Sequence, residues 1–131
     1  MVTIENVKKA INSNTKVISL AHITNVLGDI RPIKEITEYA HQKGIMVVLD
    51  GAQSVPHMKT DVKDLDIDFL AFSAHKMCGP TGVGILYGKL KHLKKMKPIL
   101  FGGGMNASFA SDQTRIYDDV PRCFEAGTPN V

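Results

Sequence analysis

The sequence predicts an α/β fold, a partial three-layer sandwich in which a mostly parallel sheet is flanked by helices. Three observations carry this. Helix and strand signals alternate from the N-terminus, and the apolar runs between turns have strand length. The third is composition: 131 residues, 44% hydrophobic and 22% charged, suffice for one soluble core. No internal repeat interrupts the alternation.

Thr3 can cap a first helix whose Ile4, Val7 and Ile11 recur at helical spacing. Lys16 to Ala21 reads as a buried strand, followed by a turn at Asn25 to Asp29. Pro32 suits the first turn of a second helix with Ile33, Ile36, Tyr39 and Ala40 on its inner face, and Gly44 ends it. Ile45 to Leu49 is the next strand, with Asp50 at its C-terminal tip. A turn-rich stretch from Gly51 leads through Val62, Leu65 and Ile67 to a strand at Phe69 to Phe72, ending at Ser73. The glycine-rich loop Gly79 to Gly84 then reaches a short strand at Ile85, Leu86 and Tyr87. Lys89 to Lys97, with Leu90, Leu93 and Met96, reads as a short amphipathic helix. Residues 1–97 are thus expected to form the sheet-bearing part, and 98–131, rich in Gly and Pro and with little periodicity, an extended arm that stops without a helix or strand to close the fold.

Composition excludes several classes. Sixteen Lys and Arg against thirteen Asp and Glu give a net charge of +3, and the only dense basic run is the solvated face just described, so no nucleic acid is expected as partner. No apolar stretch approaches the ~20 residues that span a bilayer, and the start lacks the order of a secretory signal, so the expectation is no membrane and a cytoplasmic location. Cys78 and Cys123 have no metal-ligand spacing and are read as free thiols, with no metal.

Asp50 and Lys76 both follow apolar strands, so both can reach the carboxyl-terminal edge of one sheet, where open α/β folds bind ligands. A lysine amine that forms an imine with an aldehyde, together with a carboxylate that keeps a pyridine nitrogen protonated, is what pyridoxal 5'-phosphate (PLP) requires. Alone, each has a plainer reading: a strand-end aspartate serves turns, and most lysines are solvated surface charges. The loop Gly79 to Gly84 lacks the GKS or GKT ending of a P-loop and the full GxGxxG fingerprint, which leaves a nucleotide-binding module the weaker alternative.

The words Asp50-Gly51-Ala52-Gln53, Ser73-Ala74-His75-Lys76 and Gly79-Pro80-Thr81-Gly82-Val83-Gly84 together resemble the class V aminotransferase group of fold-type I PLP enzymes. Within that group the chain most resembles the cysteine desulfurases of the NifS/SufS type. The likeness extends over nearly the whole chain, through Asn25-Val26-Leu27-Gly28 and on to Arg122 and Phe124-Glu125-Ala126-Gly127-Thr128-Pro129-Asn130. It implies that residues 1–97 are the central part of a PLP-binding large domain and that 98–131 lie at a dimer interface. It further implies Lys76 as the catalytic lysine, Asp50 on the ring nitrogen, Asn25 and Gln53 beside the ring with Gln53 near the phenolic oxygen, and Ser73 and His75 on the phosphate. Thr128 is implied to reach the phosphate bound by a neighbouring subunit, with Gly102 and Gly103 near the same boundary. Amides, a hydroxyl and an imidazole are chemically suited to those acceptors. Each also has a local reading: Asn25 in the turn, Ser73 or Thr128 as caps, His75 as a satisfied surface residue.

The activity implied is cysteine desulfuration: L-cysteine becomes L-alanine and the sulfur passes to an enzyme cysteine as a persulfide, with a homodimer and a sulfur-acceptor protein as partners. Cys78 is not read as that nucleophile, which in the family belongs to a later segment. The ring-stacking side chain, the nucleophilic cysteine and the arginine for the substrate carboxylate are all missing, so the chain is expected to be the middle of a longer enzyme. Two alternatives stay open: a related PLP lyase such as a selenocysteine lyase, and a noncatalytic oligomerising fragment.

Overall fold

The computed structural model describes residues 1–109 and 114–128. Two compact units divide the chain, Met1–Gly88 and a second that begins at Lys89. In the first, α1 (Ile4–Ala10), β1 (Val17–Ala21), α2 (Ile33–Gln42), β2 (Met46–Asp50), the single turn α3 (Ser54–His57), β3 (Phe69–Ser73) and β4 (Gly84–Gly88) follow in order. The sheet order is β1-β2-β3-β4; the first three strands are parallel and β4 returns antiparallel to β3.

The helices begin where their local signals place them. Thr3 is extended, and its hydroxyl accepts from the Asn6 amide. α1 closes at Ala10, with Ile11 as its C-cap rather than its last turn. Pro32 stands at the N-cap of α2, and Gly44 follows its end in the left-handed region.

Paired residues in register share a sheet face. One face therefore carries Ile18 and Leu20 of β1, Val47 and Leu49 of β2, and Leu70 and Phe72 of β3. With Ile33 and Ala40 of α2, and with Ile45 and Ile67, these residues build the core. The buried face of α2 includes Thr37, whereas the expected Tyr39 is only half-buried: Lys8 and Lys43 sit 5.3 and 5.8 Å from its ring centre. A ring flanked by two cations keeps one edge wet, and the small Thr37 fits the tight contact instead. The opposite sheet face is poorly covered, with Val17 at 45% and Leu86 at 56% exposure.

At the amino-terminal side of β3, Asp68 is buried. It accepts from the Val47 amide at 2.9 Å and meets His41 Nε2 at 2.9 Å; His41 Nδ1 meets Asp66 at 3.2 Å. One carboxylate thereby ties the end of α2 to β2 and to the entry of β3.

Two expectations for the C-terminal part are corrected. The basic run is helical only over α4 (Leu90–Leu93), and Leu90 is exposed, so no apolar stripe is being buried that would hold a longer helix together. The arm is not without regular structure: β5 (Asn106–Phe109) and β6 (Thr114–Ile116) pair antiparallel, and single 3-10 turns lie at Gly103–Met105 and Arg122–Phe124. Within this unit Met105 and Cys123 are buried, and the Gly104 amide donates to the Ala126 carbonyl at 3.3 Å.

Candidate active site

Parallel pairing of β1, β2 and β3 brings three loops to one sheet edge, the carboxyl-terminal one. Asn25 lies in the loop after β1, Gln53 just past β2, and His75 and Lys76 in a 3-10 turn (Ala74–Met77) directly after β3. Asp50 is the last residue of β2 and pairs with Ala21 on one side and Ala71 on the other. All three point to the same face, and it is the poorly covered one. The flanking methyl groups leave the exposed Asp50 carboxylate uncrowded, which neither neighbour would do if it were large.

Asp50 Oδ1 accepts from the Ala52 amide at 2.9 Å, a turn-type bond that fixes the carboxylate while leaving Oδ2 without a partner among the described residues. Gln53 Nε2 donates to Asn25 Oδ1, joining the loops after β1 and β2. His57 Nδ1 bonds the Gln53 carbonyl at 2.7 Å, so the single turn of α3 holds Gln53 from behind. Asn25 is therefore more than a turn residue.

Lys76 is exposed on a turn closed from both ends. The Ala74 amide donates to the Val83 carbonyl at 3.0 Å, and the Gly79 amide to the Ala74 carbonyl at 2.9 Å. Cys78 occupies the left-handed region at φ 63°. A Cβ on Gly79 would come within 2.7 Å of Ala74 Cβ and 3.0 Å of its carbonyl oxygen, so the turn closes only around a residue without a side chain. Ser73, at the end of β3, is half-buried and makes no capping bond with its side chain. His75 and Lys76 are both exposed.

Thr128 is exposed and belongs to the second compact unit; Pro129 and Asn130 of the same motif lie outside the described residues. Cys78 is an exposed free thiol and Cys123 a buried one. Among the described residues no cluster of His, Cys, Asp and Glu can hold a metal, and no helix is long and apolar enough to cross a membrane.

Sequence reasoning missed the residues that brace the edge. His22, directly after β1, is buried, its amide donating to the Asp50 carbonyl at 2.9 Å. Burial holds its imidazole below the usual histidine range, and Nδ1 finds no partner among the described residues. Arg31 donates from Nη1 to the Ala21 carbonyl at 3.1 Å and from its amide to the His22 carbonyl at 3.0 Å. A threonine directly before Asn25, with a glycine four residues on, was the available signal for a closed loop.

An exposed lysine and an exposed carboxylate thus follow adjacent parallel strands at one carboxyl-terminal sheet edge, with an amide pair beside them, which is where open α/β sheets bind ligands. The chain belongs to the aminotransferase class-V family, which it matches over residues 1–131. It is 52% identical over 130 residues to a probable cysteine desulfurase of Halalkalibacterium halodurans, covering 99% of this chain and 32% of that protein. It is 47% identical over 127 residues to a cysteine desulfurase of Haloferax volcanii, covering 97% and 30%. The cysteine desulfurase CsdA of Escherichia coli, solved with an S-sulfonic acid, superposes with a TM-score of 0.89 at 40% identity, over 96% of this chain and 31% of that one. A C-DES lysine-to-alanine mutant with glycine covalently linked to its PLP cofactor superposes with a TM-score of 0.81 at 25% identity, over 92% and 32%. The α/β fold is that of these enzymes, and the chain spans about a third of the length of the relatives it matches.

Proposed function

We propose that this chain carries the cofactor-binding core of a PLP-dependent cysteine desulfurase. The observation that bears most weight is the placement of Asp50 and Lys76 at the tips of neighbouring parallel strands, β2 and β3, on one sheet edge. The donor set fits PLP: a carboxylate with a free oxygen for a pyridinium, a primary amine for an aldehyde, two amides for a phenolate, and a hydroxyl and an imidazole for a phosphate. The relatives' activity supports the same reading.

When bound, PLP supplies a ring that accepts the electrons released at the substrate α-carbon. The Asp50 carboxylate would face the ring nitrogen, and its negative charge would keep the proton there. The Lys76 amine would anchor the cofactor through its aldehyde and, with L-cysteine bound, would move protons at the substrate carbons. Asn25 and Gln53 orient the ring through its phenolic oxygen, while Ser73 and His75 hold the phosphate. Thr128 contributes to the phosphate site of a second subunit, which makes the working enzyme a homodimer. A cysteine thiolate outside this chain would attack the substrate sulfur; the Cβ–S bond breaks with its electron pair passing to the substrate carbon, which takes a proton, giving L-alanine and a persulfide whose outer sulfur an acceptor protein takes, as in cytoplasmic iron-sulfur cluster assembly.

The test is chemical. The protein is incubated with PLP, reduced with borohydride and digested, and pyridoxyl peptides are located by mass spectrometry. The expected result is one adduct, on Lys76, lost together with the lysine-linked absorption in Lys76→Ala. Labelling spread over surface lysines, unchanged by that substitution, would sink the assignment.

A further inference from the structure

Asn25 can orient a ring only if its own loop is rigid, and the loop's tip offers little help. Val26 and Leu27 are 88% and 85% exposed, so the loop is not fixed by burial. What closes it is Thr24. Its amide donates to the Asp29 carbonyl at 3.1 Å, its hydroxyl accepts from the Asp29 amide at 3.0 Å, and its carbonyl accepts from the Gly28 amide at 3.1 Å. Gly28 takes φ 67°, a left-handed conformation that lets the chain turn back within the loop. Ile23 and Ile30 bridge antiparallel just outside, and the two Arg31 bonds lock that base to the end of β1. Three hydrogen bonds thus anchor the residue next to Asn25, one through its side chain and two through the peptide groups on either side of it.

We propose that Thr24 is a positioning residue for the cofactor: by clasping Asp29 it holds the loop 24–29 closed and so keeps the Asn25 amide aimed at the sheet edge. This rests on the PLP reading above, with Asn25 beside the ring. A hydroxyl that accepts an amide proton is worth about one ordinary hydrogen bond, and a loop free to open spreads Asn25 over many orientations. An amide donor near a phenolic oxygen favours its deprotonated form, so losing that donor raises the pH at which the chromophore titrates.

The experiment uses a preparation that forms the Lys76 adduct and compares wild type with Thr24→Val, Thr24→Ser and Asn25→Ala. Two readouts are taken, the pH midpoint of the lysine-linked chromophore and the hydrogen exchange of the Gly28 and Asp29 amides. Thr24→Val, which keeps the shape but loses the acceptor, is expected to raise the midpoint by roughly 0.7 pH, about one hydrogen bond. It should speed exchange of the Asp29 amide about tenfold. Thr24→Ser should restore both. Asn25→Ala should match the midpoint shift of Thr24→Val, and the double variant should add nothing further. Thr24→Ala stands in if the valine variant does not fold.

A midpoint unchanged by Thr24→Val while Asn25→Ala shifts it, or an Asp29 amide that exchanges at the wild-type rate, would overturn the proposal and leave Lys76 in place. Additive shifts in the double variant would also overturn it, because Thr24 would then act elsewhere. An Asn25→Ala variant with the wild-type midpoint removes the target and defeats it too. A wild-type protein that forms no Lys76 adduct is a different failure, that of the PLP reading itself.

Discussion

At the scale of single residues, the carboxylate proposed for the ring nitrogen is held locally. Asp50 is fixed by its own following peptide, through the Ala52 amide, so replacing its charge leaves its geometry intact. In a full-length enzyme of the kind proposed above, Asp50→Asn is therefore expected to keep PLP bound but to cut cysteine turnover about 100-fold, the equivalent of one charge-assisted hydrogen bond. Equal turnover in the variant would remove Asp50 from the ring nitrogen. His22 yields a pH prediction. Its folded-state proton affinity lies below the unfolded value of 6.5 because burial penalises the charged ring. The unfolded chain therefore binds the extra proton first: the stability contribution is complete above about 6.5 and is lost as pH falls from there through the lower folded value. Urea midpoints between pH 8 and 5 should fall, and fall less steeply in His22→Phe; parallel slopes would show that another group titrates.

Elements, more than residues, decided what could be read from the sequence. The caps of α1 and α2 and the apolar runs of β1 to β3 were legible because each signal is local: Thr3 with its Asn6 amide, Pro32, Gly44, and alternating or continuous apolar residues. The direction of β4 was not, since pairing is a property of two segments and β4 itself reads the same either way. β5 and β6 were missed because four- and three-residue strands carry almost no periodicity. The candidate site residues were readable as words, Asp50 to Gln53 and Ser73 to Lys76, whereas the braces at Thr24 and Arg31 depend on a loop closure for which Thr24 and Gly28 are only a weak sequence signal. Two predictions belong to this scale. Gly79→Ala forces apart the turn that carries Lys76 and is expected to cost about 2–3 kcal/mol; an unchanged urea midpoint would show that the turn has room. Asp68→Ala unties α2, β2 and β3 together and strands the Val47 amide, at an expected cost of about 3 kcal/mol. A loss below about 1 kcal/mol would mean that water replaces the carboxylate.

For the whole molecule the governing fact is a sheet with one well-packed face and one wet face, and with β1 and β4 as its edges. Apolar side chains such as Val17 and Leu86 on that wet face, beside unpaired strand edges, favour association with further protein. Sedimentation should show a mass that rises with concentration, and Leu86→Lys should shift it toward the monomer; identical profiles would place the contact elsewhere. The same wet face has a calorimetric meaning. Side chains already in water gain no new hydration when the chain unfolds, so the first unit should show a heat-capacity increment below the usual ~12–15 cal/mol/K per residue and a correspondingly shallow denaturant slope. Its stability should then vary little with temperature, its melting should be broad, and whatever covers that face should sharpen the transition as it binds.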